Sequence, residues 1–178
     1  MKANLWHLKN AKIITPELFF GCIEITKSSK CKYELDKDTG ALRLDRILST
    51  STSYPHNYGF IPNTLSLDGD PLDVLILCSE ALIPLSIVEC KPIGILFMND
   101  NGADDEKIIA VATKDPFYNC YNDISEIPKH ILEEIKHFFS IYKQLEQNND
   151  VEVEDIKSSE EAKKVIKDSI RRYNDKFN

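Results

Sequence analysis

Apolar residues in this chain fall in short runs separated by loops over the first two-thirds and recur at helical spacing in the last third. "FFGCIEIT" (19–26) predicts a strand, and "CKYELDKDTGALRLDR" (31–46) a hairpin with Gly40 in its turn. An irregular stretch, "ILSTSTSYPHNYGFIPNTL" (47–65), follows, punctuated by Pro55, Gly59 and Pro62. Four further runs predict strands: "DVLILC" (73–78), "SIVEC" (86–90), "GILFM" (94–98) and "KIIAVAT" (107–113). Ile131, Ile135, Phe138, Tyr142 and Leu145 then form one helical stripe over 128–147. Pro128 suits its first turn, where a missing N–H costs nothing. A second helix is expected from Ser158, with Glu161 completing a capping box and Ala162, Val165 and Tyr173 on one side. Strands followed by helices indicate an α+β fold with a mixed or barrel-like sheet.

No internal repeat or linker divides the 178 residues, so one domain over 1–178 is expected. The net charge of −7, from 29 acidic and 22 basic residues, argues against general affinity for nucleic acid or anionic membrane. A small anionic substrate remains open if cations are local or arrive as metal ions. Cys22, Cys31, Cys78, Cys90 and Cys120 have no CxxC spacing, which favours reduced, mostly buried thiols over zinc or redox chemistry. The opening "ANLWHLKNAK" lacks an apolar core of signal-peptide length, and no window approaches a membrane span. A cytoplasmic protein is expected.

The chemistry concentrates in "LSLDGDPLDVLIL" (65–77), where Asp68, Asp70 and Asp73 crowd against an apolar run. Two like charges about 4 Å apart repel by roughly 4 kcal/mol at an effective dielectric near 20, so a cation is expected between them. An EF-hand is excluded, because Asp73 and Ser79 stand where that loop needs glycine and glutamate. A plain turn remains open, since Asp-Gly-Asp-Pro is good turn chemistry. A second acidic loop, "NDNGADDEK", follows another expected strand with Asp100, Asp104, Asp105 and Glu106 ahead of Lys107. Carboxylates without neighbouring histidine or cysteine suit Mg²⁺ or Mn²⁺, which commonly bind together with phosphates. Lys32, Arg46, Tyr54 and Tyr58 offer the donors a phosphate needs, though each also has an ordinary surface or packing role.

"KYELDKDTGALRLDR", "YPHNYGFIPNTLSLDGDPLDVLIL", "DDEK" and "HFFSIYKQLE" together resemble the soluble inorganic pyrophosphatases of the bacterial type, in order from about Ile23 to Leu145. "LWH" near the start is similar to what some relatives carry. The resemblance implies a five-stranded OB-type β-barrel with helices packed outside. It also implies Mg²⁺-dependent hydrolysis of pyrophosphate to two phosphates, and a homohexamer; His137, beside the apolar stripe of 128–147, is open to a subunit contact and more simply read as a solvated histidine.

The implied site is carried over by position. Asp68, Asp73 and Asp105 would hold an activating metal, with Asp73 also near a second and a water between the two. Asp70 would accept that water's proton. Asp100 and Asp105 would hold a third metal and Glu34 would lie near a fourth. Glu24 is a further acid of the cavity. Lys32, Arg46, Tyr58, Lys107, Tyr142 and Lys143 would bind the phosphates, and Tyr54 would support the acidic cluster. Seven carboxylates (24, 34, 68, 70, 73, 100, 105) against four cations (32, 46, 107, 143) leave −3, so the expectation is that only bound metal relieves the repulsion.

Overall fold

A computed structural model of the chain describes residues 4–9, 14–147 and 150–177. Part of "ANLWHLKNAK" and the start of "NNDVEVEDI" therefore lie outside the described residues. Its strands are β1 (Phe19–Ile25), β2 (Cys31–Leu35), β3 (Leu42–Ile47), β4 (Asn57–Phe60), β5 (Asp73–Leu77), β6 (Ile87–Asp100), β7 (Ala103–Ala112) and β8 (Val151–Ser158). The helices are α1 (Lys129–Ile141) and α2 (Ser159–Phe177), and 3-10 turns lie at Leu5–His7 and Ile124–Glu126.

Five strands close into a ring in the order β1-β4-β5-β7-β6, with β6 pairing back onto β1. The OB-type α+β architecture expected from the resemblance is the one observed. Only β5 and β7 run parallel within the ring. β8 extends the sheet beside β6, while β2 and β3 form a separate hairpin. Closure depends on Gly59, since a Cβ there would fall 1.8 Å from the Cys22 carbonyl oxygen.

Apolar burial fixes the layers. α1 sets Ile135, Phe138 and Phe139 against Tyr54, Tyr58, Leu75 and Ile109. α2 sets Ala162 and Ile166 against Val74, Ile76, Ile108 and Ala110 on the alternate positions of β5 and β7. Each such fully buried side chain contributes roughly 1.5–3 kcal/mol.

Several expected boundaries move. The irregular stretch 47–65 contains β4, because Asn57–Phe60 find partners on both sides. The runs at 86–90 and 94–98 are one strand, bent by a bulge at Pro92–Gly94 where proline's missing N–H is tolerated. Its first half pairs with β1 and its second with β8. The acidic loop shrinks to a turn at Asn101–Gly102, both at positive φ, and β7 takes in Asp104, Asp105 and Glu106. Pairing with β6 here outweighs the low strand propensity of aspartate. Helix α1 starts after Pro128, not with it, and ends at Ile141, leaving Leu145 exposed. β8 precedes the second helix, whose expected capping box gives way to a remote cap. The Ser159 amide donates to Asp123 Oδ2 at 2.9 Å, and Glu161 pairs with Lys164 instead.

Candidate active site

One cavity of about 460 Å³ gathers the sequence-predicted residues. Glu24, Lys32, Glu34, Tyr54, Tyr58, Asp68, Asp70, Asp73, Asp100, Asp105, Lys107, Tyr142 and Lys143 all line it. Each arrives by a different local route. The parallel register of β5 and β7 sets Asp73 opposite Lys107. Strand alternation then turns Asp105 to the same side as Lys107. Glu24 sits at a bulge in β1, between the pairs Ile23–Gly59 and Ile25–Tyr58, and bulges re-aim side chains. Asp68 and Asp70 come from the turn before β5, with Gly69 at φ 94°. Tyr142 and Lys143 follow the last turn of α1.

The β5–β7 wall is tightly interlocked. Lys107 Nζ lies 2.9 Å from carboxylate oxygens of both Asp73 and Asp105 and donates to the Tyr58 hydroxyl at 2.9 Å. Tyr58 in turn donates to Asp73 Oδ2 at 2.6 Å. Burial alone would lower the Lys107 pKa, but Asp73, then Tyr58 and Asp105, raise it well above the usual lysine value. Burial, reinforced by Asp73, pushes the Tyr58 phenol well above its ordinary value, so it stays a neutral donor. Tyr142 and Tyr54 are also raised, first by burial. Tyr54 packs its ring 5.3 Å from Tyr58 and 4.8 Å from Phe138.

Lysines pair with most of these acids. Besides Lys107, Lys143 pairs with Asp100, Lys32 with Glu34 and Lys37 with Asp70. These pairs place an ammonium group beside Glu34, Asp70, Asp73, Asp100 and Asp105, five of the seven acids counted from the sequence. Relief is incomplete at two acids. Burial, then the Asp73 and Glu34 charges, push Glu24 up to about 8, although its Oε1 accepts the Leu35 amide at 2.6 Å. Burial, then Asp70, Asp73 and Asp105, raise Asp68 against one hydrogen bond from the Asp70 amide.

Arg46 is the one predicted residue outside the lining. It pairs in register with Lys32, but its Nε donates to Glu146 at 2.9 Å and its Nη1 to Asp45 at 2.6 Å. Its Nη2 is buried without a hydrogen-bond partner. Conversely, the cavity includes Trp6, Lys37, Arg43 and Phe139, which sequence reasoning did not assign. Lys37 and Arg43 lie within the quoted hairpin, so its cationic turn was the available clue. Trp6 and Phe139 lie in the quoted stretches "LWH" and "HFFSIYKQLE", but nothing local to either marked them as lining the cavity.

The donor set fits a hard divalent ion. The lining supplies carboxylate oxygens and neither imidazole nor thiolate. Asp68, Asp73 and Asp105 also share a narrow cleft with Asp104 beside the main cavity. Among the described residues no three such side chains are drawn together around one ion position. A cation entering here would exchange with ammonium groups and favour the charged forms of Asp68 and Glu24.

A family model described as inorganic pyrophosphatase matches residues 21–174. The chain is 49% identical to soluble inorganic pyrophosphatase 2 of Chlamydomonas reinhardtii, over 97% of this chain and 89% of that protein. It is 47% identical to soluble inorganic pyrophosphatase 1 of Arabidopsis thaliana, over 96% and 80% respectively. The solved inorganic pyrophosphatase of Thermus thermophilus superposes with a TM-score of 0.92 at 39% identity, covering 97% of this chain and 99% of that one. That of Helicobacter pylori gives 0.89 at 42% identity, covering 93% and 99%. The chain belongs to the inorganic pyrophosphatase family.

Proposed function

We propose that this family member hydrolyses inorganic pyrophosphate to two phosphates with Mg²⁺ as its metal, and that Asp70 is the general base. The observation that carries the reading is the single cavity in which acids from separate strands alternate with lysines. Asp68, Asp73 and Asp105 are the residues that would hold the activating ion, with Asp100 and Glu34 serving further ions. Bound divalent ions would neutralise the substrate and lower the pKa of a water.

The protein's own groups then divide the remaining work. Lys107, Lys143 and Lys32 would be the groups that meet phosphate oxygens when their carboxylates hold divalent ions. Tyr142 stays neutral and would donate to a phosphate, Tyr58 would do so on releasing Asp73, and the buried Phe139 keeps the wall dry. Arg46 contributes charge from behind the rim, where it reaches Tyr54 and Tyr142 electrostatically. Asp70, with 54% of its side chain exposed, accepts a proton from the attacking water and can return it to solvent. Developing charge on the departing phosphate falls to the lysines.

A phosphate-release assay with and without Mg²⁺ tests this reading, and absence of Mg²⁺-dependent release from pyrophosphate sinks it. One closed barrel with both helices packed on it supports a single domain over 1–178. No helix among the described residues is long and apolar enough to cross a membrane. Five free thiols support the cytoplasmic assignment. The proposed hexamer predicts a mass six times the 20.4 kDa chain by light scattering.

A further inference from the structure

The turn of the β2–β3 hairpin delivers one lysine to the proposed base. Lys37 Nζ pairs with Asp70 Oδ1 and also lies over the Trp6 ring, 5.6 Å from its centroid. The turn is held rigidly. Asp36 Oδ1 accepts the Asp38 and Thr39 amides at 3.1 and 2.8 Å, and the Lys37 carbonyl accepts from Asn4 Nδ2 at 2.8 Å. Trp6 is itself fixed: it stacks on His7, meets Phe177 edge-on at 5.4 Å, and donates from Nε1 to the Thr64 carbonyl at 2.8 Å.

Thr64 closes the circuit. Its hydroxyl accepts the Leu72 amide at 2.9 Å, so the residue that anchors Trp6 also anchors the loop bearing Asp70. Within that loop the Asp70 carbonyl accepts from Ser66 and its amide donates to Asp68 Oδ1. Both sides of the Lys37–Asp70 pair are therefore referenced to one point. A base held by one oxygen on a fixed ammonium leaves its other oxygen to face the water.

We propose that Lys37 is a positioning residue for Asp70 and that Trp6 is its platform. The inference rests on the assignment of Asp70 as base. Lys37 acts through Asp70 and not on the substrate, so its loss lowers turnover while leaving pyrophosphate affinity alone.

Steady-state kinetics at saturating Mg²⁺ on Lys37→Met, Lys37→Arg, Asp70→Asn and the Lys37→Met/Asp70→Asn double variant provide the test. Lys37→Met is expected to lower kcat about 10- to 100-fold, the worth of one charged hydrogen bond, with KM within about twofold. Lys37→Arg should restore most of the loss. In the Asp70→Asn background, Lys37→Met should cost nothing further, because its effect passes through that carboxylate. Trp6→Leu should lower kcat in the same direction, and Trp6→Phe should recover part. Thermal melts of each variant separate a folding failure from a kinetic one, and Lys37→Arg keeps the test alive if Lys37→Met unfolds. An unchanged kcat in Lys37→Met, a raised KM, or an undiminished effect in the Asp70→Asn background overturns the proposal. Full turnover by Asp70→Asn alone overturns the base assignment instead.

Discussion

Lys107 and Lys37 each meet a carboxylate of the same cavity, yet 5% of one side chain is exposed and 44% of the other. The difference follows from their supports. Lys107 stands in a parallel strand pair inside the ring, where register dictates that Asp73 and Asp105 flank it. Lys37 stands in the turn of a two-stranded hairpin outside the ring, and meets Asp70 across a solvent-open gap. A buried charge deprived of its partner is costly, whereas exposed pairs are worth about 0–1 kcal/mol to stability. The position of Lys107 is thus set by strand register within the ring, and that of Lys37 by the packing of a turn outside it.

The largest expected effect falls on Asp70 and Asp73, one on the rim and one on the wall. Asp70→Asn should lower turnover by about 10²–10⁴ and stay low at any Mg²⁺ concentration, because the missing group is a base. Asp73→Asn should weaken metal binding and recover partly at high Mg²⁺. Activity titrations beside direct binding isotherms check both, and equal rescue would erase the division. Next, Lys107→Met without divalent ions should cost about 3–5 kcal/mol in urea unfolding, less what the partial exposure of Asp73 and Asp105 returns. Lys32→Met on the rim should cost about 1 kcal/mol or less by the same measurement. Similar losses at the two sites would break the comparison.

Glu24, on β1 of the ring, offers a pH-dependent effect. Its folded pKa of about 8 lies above the unfolded value of 4.5. Stability from this group is therefore complete below about pH 4.5 and is lost as pH rises through 8. Glu24→Gln should stabilise the metal-free protein at pH 9 relative to wild type, by up to a few kcal/mol, and not at pH 4. Added Mg²⁺ should reverse that advantage. Melting curves at the two pH values decide it.

Asp123 belongs to neither region and serves as a control. Burial opposes its charge, but hydrogen bonds from Ser159 and Ser125 outweigh that and bring its pKa from 3.8 to about 2. The sign is opposite to that of Glu24: this stability is present above pH 3.8 and is lost as pH falls through 2. Asp123→Ala removes the cap of α2 and should cost about 0.5–2 kcal/mol at pH 7, with kcat and KM unchanged. A kinetic effect there would mean that the helix reports to the cavity.

Much of the site was legible because its residues are short-range motifs. Asp68, Asp70 and Asp73 lie within one turn and the start of one strand, and Lys107 lies two residues from Asp105. The short apolar runs of β1 and β5 and the stripe Ile135–Phe138–Tyr142 are likewise local, so these elements follow from their own stretches of sequence. The alternation "VEVE" in β8 was equally present in the chain, but nothing local said that β6 would be long enough to receive it.

What only the tertiary structure decided are relations between distant segments. The β1–β6 pairing closes the barrel, and the bulge at Glu24 turns that acid inward. The parallel register sets Lys107 beside Asp73, while Glu146 and Asp45 hold Arg46 behind the rim. Lys37 meets Asp70 while lying over Trp6, a residue brought in from near the start of the chain. Periodicity fixes which face of a strand is apolar, but not which partner lies against it. Partner and register are chosen by the collective burial of the core and by the pairing of charges within it, and neither is written in any one stretch of residues.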